Sequence, residues 1–338
     1  MTVAGHERTF SGVDTLDAAR GGDEVAFRSL VTPHLRELRA FCYRMSGSVH
    51  DAEDLLQDSL LRAWRGLSTF EGRASLRTWL YKVTWSACAA ALETRPARVL
   101  AIESGAPGNP HEPMSEPTDD PWLGPCSSGY YGDESPEARY SSRQSVALAF
   151  LAALQLLPPR QRATLIARDV LGWSAEECAD GLESSVASIN SALQRARATL
   201  DERIGRWQPR PLDDDATKHL LQRYIEAWER ADPSILAALL REDATFAMPP
   251  FPTWLRGPDA ICHSVQSMVF DHVGAGAFRF IATEANGLPA LAAYRRAPDG
   301  SFGFASIHVF SIDGGTIAAI TVFLDPKLAG PFGVADSL

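Results

Sequence analysis

Cysteine is scarce in this chain of 338 residues, and what there is does not pair up. Cys42, Cys88, Cys126, Cys178 and Cys262 are odd in number, widely scattered and never in a CxxC spacing, which argues against a disulfide framework and against a cysteine zinc site. Long apolar runs are missing as well: no stretch approaches the roughly 18 residues that a membrane span needs. The first ten residues, MTVAGHERTF, lack the cationic and then apolar stretches of a secretory signal. The expectation is a cytoplasmic protein with no membrane association, no metal and no cofactor. With 45% hydrophobic and 22% charged residues the composition is ordinarily globular, and the length suffices for two or three domains.

An excess of positive charge is also lacking, since the formal net charge is −10. Taken globally this counts against a nucleic-acid partner, but the acid is unevenly placed. Residues 96–145 carry −5 and 211–338 carry −6, whereas 21–95 and 146–210 each carry +1. Basic faces on those two near-neutral segments stay compatible with phosphate contact.

The near-neutral segments read as helical. Phe27, Leu30, Leu38 and Phe41, then Leu55, Leu56, Leu60, Ala63, Trp64 and Leu67, then Leu76, Trp79, Leu80 and Val83 recur at helical spacing. Segment 146–204 repeats the pattern, punctuated by Pro158-Pro159 and Gly172. Between them, 96–145 holds eight prolines, eight serines and five glycines, the composition of a linker. Its Asp120-Pro121-Trp122-Leu123-Gly124-Pro125 is out of place in a solvated tether, so part of the linker is expected to dock on a folded domain. Beyond Pro211, helices at about 214–231 and 233–241 precede β-type runs at 244–247, 278–282, 290–295, 302–311 and 316–324. Asp313-Gly314-Gly315 marks a hairpin turn. The expected architecture is two all-α domains, 21–95 and 146–208, a linker 96–145 and an α+β domain 213–328, with a flexible start 1–20 and a tail 329–338.

The segment SAEECADGLESSVASINSALQRARAT, 174–199, has the pattern of a helix-turn-helix. Ser174 with Glu177 forms a capping box, the first helix ends near Gly181-Leu182, and Ser184 or Ser185 caps the second. Val186, Ile189 and Leu193 are expected to face inward, with Ala179 at the helix crossing. The outward face offers Ser185, Ser188, Asn190, Ser191, Gln194, Arg195 and Arg197 without any acid. Asn, Gln and Arg are the side chains that pair with base edges in the major groove, and Ser suits phosphates. In the first domain, Asp51, Glu53, Asp54 and Asp58 make an acidic helix start, and Asp54, Gln57, Asp58 and Leu61 share one exposed face able to meet a basic partner, with Asp58 and Arg62 as an i,i+4 pair. Downstream, Phe70, Gly72, Arg73 and Ser75 lead into a helix bearing Arg77, Lys82, Trp85 and Ser86, where aromatics interleave with bases as unstacked DNA requires. Trp79 reads as core.

Taken together, DAEDLLQDSLLRAW, RASLRTWLYKVTWSAC and LPPRQRATLIARDVLGWSAEECADGLESSVASINSALQRARATL resemble regions 2 and 4 of the extracytoplasmic-function sigma factors of bacterial RNA polymerase. The C-terminal part resembles the SnoaL/NTF2-like cone domain fused to an actinobacterial subset of them. The resemblance implies a non-enzymatic protein that binds core RNA polymerase and promoter DNA. Asp51, Asp54, Leu55, Gln57, Asp58 and Leu61 would dock on the polymerase, chiefly the clamp helices of its largest subunit, with the β subunit as a further contact. Phe70 to Ser86 would hold a flipped −10 base, and the helix-turn-helix would read the −35 element. Two positions depart from the family pattern: Ser86 stands where Asn is common, and Asn190 replaces the usual basic residue. The resemblance also implies regulation in cis without a separate anti-sigma partner. Trp122, Leu123, Asp313, Gly314, Asp325 and Lys327 are expected to form the regulatory contact. His263, His308 and Asp325, with Trp254 and Met248 as apolar wall, are candidates to line a pocket for a small molecule, although a His between Ile307 and Val309 reads more readily as a satisfied sheet histidine than as a base, and no nucleophile-base spacing is visible. The rival reading is a ligand-sensing helix-turn-helix regulator that works without polymerase, and the first domain discriminates the two.

Overall fold

The computed structural model describes residues 12–72, 74–103, 105–130, 148–204 and 214–338. The chain divides into two compact units: Met1–Ser46, His50–Arg95 and Pro159–Gln194 form the first, and Gly47–Val49, Pro96–Pro158 and Arg195–Leu338 the second.

In the first unit, α1 (Gly12–Arg20), α2 (Glu24–Val31), α3 (Leu35–Ser46), α4 (Val49–Gly66) and α5 (Leu76–Leu92) follow the apolar periodicity. Asp23 caps α2, its carboxylate accepting from the amides of Val25 and Ala26, as an N-cap does for otherwise orphan donors. Residues 12–20, expected to be flexible, are helical instead. Ala19 is buried with Ala26, Leu67 and Phe70, and Arg20 donates to the Phe70 carbonyl. The core is built from Leu38, Phe41 and Met45 of α3, Leu55 and Leu56 of α4, and Leu80, Tyr81 and Cys88 of α5. Next come α7 (Pro159–Leu165), whose end widens into a π turn over Ile166–Val170, then α8 (Ala175–Gly181) and the start of α9 (Val186–Ile204).

The second unit holds α6 (Leu148–Gln155), α10 (Asp214–Arg230), α11 (Pro233–Ala237), α12 (Pro258–Val265), α13 (Ala329–Phe332) and strands β1 (Leu240–Ala247), β2 (Trp254–Arg256), β3 (Phe278–Ala285), β4 (Leu288–Arg296), β5 (Phe302–Asp313) and β6 (Thr316–Phe323). Among the described residues these strands form one sheet in the order β2-β1-β6-β5-β4-β3. β1 runs parallel to β6 and the other pairs are antiparallel. The β5–β6 hairpin turns at Gly314 and Gly315 with φ of 56° and 87°, and Asp313 stands opposite Thr316. Both turn residues are left-handed, as a type I′ hairpin demands. β2 has only three residues, too few for an alternation to show, and the sequence reading missed it. The tail is docked: Leu338 N donates to Phe302 O at 2.8 Å and Phe304 N to Asp336 O at 2.9 Å.

The described linker residues, 96–103 and 105–130, follow the surface of the sheet domain. Gly108 N donates to Trp254 O at 2.7 Å, Thr118 N to Pro250 O at 3.0 Å and Asn286 N to Cys126 O at 2.8 Å. Trp122 is buried with Ala101, Ala247 and Trp254, as expected of a linker segment that docks on a folded domain. Leu123 is also buried. A Cβ on Gly47 would stand 2.8 Å from its Cδ1, and Gly47 has φ of 71°, so glycine is required there on both counts.

Candidate nucleic-acid and polymerase interface

The helix-turn-helix is built as its residues dictate. Ser174 Oγ accepts from Glu177 N at 3.1 Å, and the Glu177 carboxylate accepts from Ser174 N at 2.7 Å, completing the capping box. Ser185 caps α9, accepting from Ser188 N at 3.2 Å. Two inward assignments need correction. Val186 is 36% exposed, because it opens the first turn ahead of the packed stripe, which runs Ile189, Ala192, Leu193, Ala196 and Leu200. Close packing falls at Gly181 rather than Ala179, since a Cβ on Gly181 would meet the Trp173 ring at 2.6 Å. On the outer face of α9, Asn190, Ser191, Gln194, Arg195 and Arg197 are exposed and Ser188 is half-exposed.

On α4, Asp54 and Gln57 are exposed and Leu61 is 48% exposed. An apolar side chain this open, rimmed by carboxylates, has the makeup of a contact surface. Asp58 pairs with Arg62 at 2.8 Å and Asp51 with Arg95 at 3.1 Å. Leu55, expected at this surface, is buried among the core residues, as its place on the inner face of α4 requires.

The loop after α4 and the helix α5 divide the remaining candidates. Gly72 is exposed with φ of 74°, Ser75 caps α5 by accepting from Thr78 N at 3.0 Å, and Ser86 is exposed. Arg73 lies outside the described residues. Phe70 and Trp85 are buried, so neither presents a ring to a partner here. Their apolar area is withdrawn into the core, where it is worth more than in water. Phe70 packs against Trp79 with ring centroids 5.3 Å apart. The two cations are engaged within the unit. Arg77 grips the Glu37 carboxylate at 2.8 Å and lies over the rings of Tyr81 and Trp173, 5.3 and 5.5 Å from their centroids. Lys82 meets Glu183 at 2.8 Å. Glu183 occupies the helix-turn-helix turn with φ of 49°, a region costly for a side chain other than Gly, Asn or Asp. Glu37, Trp173 and Glu183 went unnoticed in the sequence. The one available signal was Glu183 itself, an acid where a turn favours glycine.

In the sheet domain, His308 is buried beneath Tyr224, Trp228 and Phe280. Its Nδ1 shares a 2.9 Å hydrogen bond with the Tyr224 hydroxyl and its Nε2 a 3.0 Å bond with Ser306 Oγ. Burial pushes the imidazole down to about 3 by disfavouring its charged form, so it is a neutral, satisfied core histidine. Trp254 is buried, Met248 half-buried, and His263 and Asp325 exposed. The expected regulatory cluster also divides. Asp313 pairs with Arg241 at 2.9 Å, and Gly314 has open space around it. Asp325 caps its own turn, accepting from Lys327 N at 2.9 Å. The linker is instead met nearby by Pro331, whose carbonyl accepts from Ser127 Oγ at 2.8 Å.

Residues 30–95 match the Sigma-70 region 2 family, 147–200 match Sigma-70, region 4, and 221–320 match the SnoaL-like domain. The chain is 40% identical to the ECF RNA polymerase sigma factor SigG of Mycobacterium tuberculosis H37Rv over 97% of this chain and 88% of that protein. It belongs to the ECF sigma factors. A second relative, SigM of the same organism, is 30% identical over 59% of this chain and 87% of its own length. The crystal structure of the M. tuberculosis ECF sigma factor SigJ superposes with a TM-score of 0.57 at 20% identity, covering 92% of this chain and 99% of that one, which shows a shared fold. As an ECF factor, the chain carries α3, α4 and α5 in region 2 and the helix-turn-helix in region 4. The SigG likeness takes in the linker and the C-terminal domain as well as regions 2 and 4, since it covers 97% of this chain. No described helix is long and apolar enough to cross a membrane.

Proposed function

We propose that this chain binds core RNA polymerase through α4 and directs promoter-specific initiation, with α9 reading the −35 element and the loop and helix around Gly72, Ser75 and Ser86 handling the −10 element. The observation that carries this reading is the acid-free outer face of α9 with Asn190, Ser191, Gln194 and Arg195 exposed together, since carboxamide and guanidinium groups are the base-edge readers of the major groove. Ser86 and Asn190 stand where the family commonly has Asn and a basic residue, so the preferred −10 and −35 sequences of this chain differ from the common ones. Its action is non-enzymatic and cytoplasmic. Regulation lies in cis, through the linker docked at Trp122, and needs no separate anti-sigma protein.

The test is binding of purified bacterial core RNA polymerase to the full chain and to a variant carrying Asp54→Ala and Leu61→Ala. Both residues are exposed, so the variant keeps its fold, whereas truncating buried Leu55 would open a cavity. Loss of at least about tenfold in affinity, the scale of one or two contact residues at a buried hot spot, is the expected result. Undiminished binding by the variant overturns the assignment of α4. A full chain that ignores polymerase yet binds duplex DNA is a helix-turn-helix regulator of another kind.

A further inference from the structure

Within the first unit, region 4 packs against region 2 through side chains that belong to the DNA-reading elements. Trp173, just ahead of α8, meets Tyr81 of α5 edge-on with ring centroids 4.8 Å apart, and Arg77 lies over both rings. One residue beyond Tyr81, Lys82 pairs at 2.8 Å with Glu183 in the turn of the helix-turn-helix. Arg162 of α7 donates to the Met45 carbonyl in the last turn of α3, an end of the helix that favours a cation. These contacts join the two regions and occupy Arg77 and Lys82, the cations of the −10 helix.

A chain held this way cannot read both promoter elements. The −10 and −35 positions lie about 25 base pairs apart, two and a half turns of B-DNA or about 85 Å. With Lys82 and Glu183 in contact, Ser86 stands four residues along α5 from one, and Asn190 seven residues along the chain from the other. Even with that chain fully extended, the two reading residues are no more than about 50 Å apart. Regions 2 and 4 must therefore separate before one promoter holds both. The contact is also built to be left. Permanent interfaces satisfy their buried polar groups, yet Trp173 Nε1 is buried with no hydrogen-bond acceptor among the described residues. Burial likewise pushes the Arg162 guanidinium down to about 10, so it is stripped of water while still charged at neutral pH. Separation returns both groups to solvent and offsets part of the apolar contact that is lost.

Resting on the reading of regions 2 and 4 as the −10 and −35 readers, we propose that this contact closes the free chain and that core polymerase, engaging the two regions separately, opens it before promoter DNA is read. The measurement is the distance between spin labels at Ala90→Cys on α5 and Ala187→Cys on α9, in the full chain carrying Cys262→Ser. Both alanines are exposed and lie outside the reading residues, and the remaining cysteines are buried. In the free chain the labelled backbone positions are within about 40 Å of each other. On core polymerase they move apart by about 35 Å, the shortfall between the closed form and the promoter spacing. Polymerase binding with an unchanged distance, or a free chain whose labels are already that far apart, overturns the closure and leaves the reading of the two regions standing. A chain that fails to bind polymerase, labelled or not, overturns that reading and the closure with it. A second arm holds the contact shut with a reducible bismaleimide across Lys82→Cys and Glu183→Cys. The tether weakens polymerase binding at least about tenfold, because the open form is no longer populated, and dithiothreitol restores binding in the same sample by cutting it. Tethered binding within about twofold of the reduced sample overturns the opening step.

Discussion

At position 308, an imidazole of ordinary value 6.5 is pushed down to about 3 by burial, and this has a signed consequence for stability. Unfolded, the side chain takes up a proton below about 6.5; folded, it refuses one until about 3. The unfolded state therefore binds more protons between these values, and the contribution of His308 is complete above 6.5 and lost as pH falls through that window. The expected slope is up to about 1.4 kcal/mol per pH unit. Denaturant unfolding followed through the sheet-domain tryptophans at pH 7 and pH 5 measures it, and His308→Gln flattens the dependence by about one proton. That this histidine is a satisfied core residue was legible from its place between Ile307 and Val309 in an apolar strand. Its partner was not: Tyr224 lies 84 positions away, and pairing at that separation is set by how α10 crosses the sheet. Phe70, Trp85 and Leu55 were misplaced for a related reason. Periodicity names a helix face without saying which neighbour covers it, and aromatics suit DNA and core alike.

At the level of elements, the helix-turn-helix was the most readable part of the chain, because a capping box, a helix stop and a second cap are all local signals. Its interior was less so, since the tight contact at Gly181 depends on Trp173, eight residues upstream. Gly181→Ala forces a methyl into that ring and is expected to destabilise the fold by about 1–3 kcal/mol. Ser174→Ala, which removes only the cap, costs about 1 kcal/mol; denaturation of the two variants side by side separates packing from capping. The turn at Glu183 makes a different prediction. The Lys82–Glu183 pair is half-exposed on both sides, 46% and 62%, and such pairs contribute little to stability. Glu183→Gln therefore leaves the unfolding midpoint nearly unchanged while freeing Lys82, and binding to −10-like single-stranded DNA rises, as fluorescence anisotropy at low salt would record.

For the molecule as a whole, the charge split was more informative than its total. Apolar periodicity and the composition of 96–145 suggested two helical domains, a linker and an α+β domain, while the family models fall at 30–95, 147–200 and 221–320. What composition could not show is that residues 105–130 lie on the sheet domain, since the anchors are backbone hydrogen bonds, such as Gly108 to Trp254, that any sequence can make. Residues beyond Arg210 carry a surplus of acid. A chain ending at Arg210 is expected to bind promoter DNA more tightly at low salt, with the difference shrinking as salt screens the field. Equal affinity of the two chains at low salt counts against an electrostatic role for the C-terminal domain.

The buried seat of Trp122 against Ala247 and Trp254 also says where such a chain can be cut and rejoined. The piece that travels as a whole is the sheet domain together with its linker. A hybrid between two relatives that joins at Arg210 inherits a linker from one parent and the surface beneath it from the other, with Trp122 facing a seat shaped for a different neighbour. A hybrid joined near Arg95 keeps both partners of that contact from the same parent, and natural recombinants that persist should show their seams there.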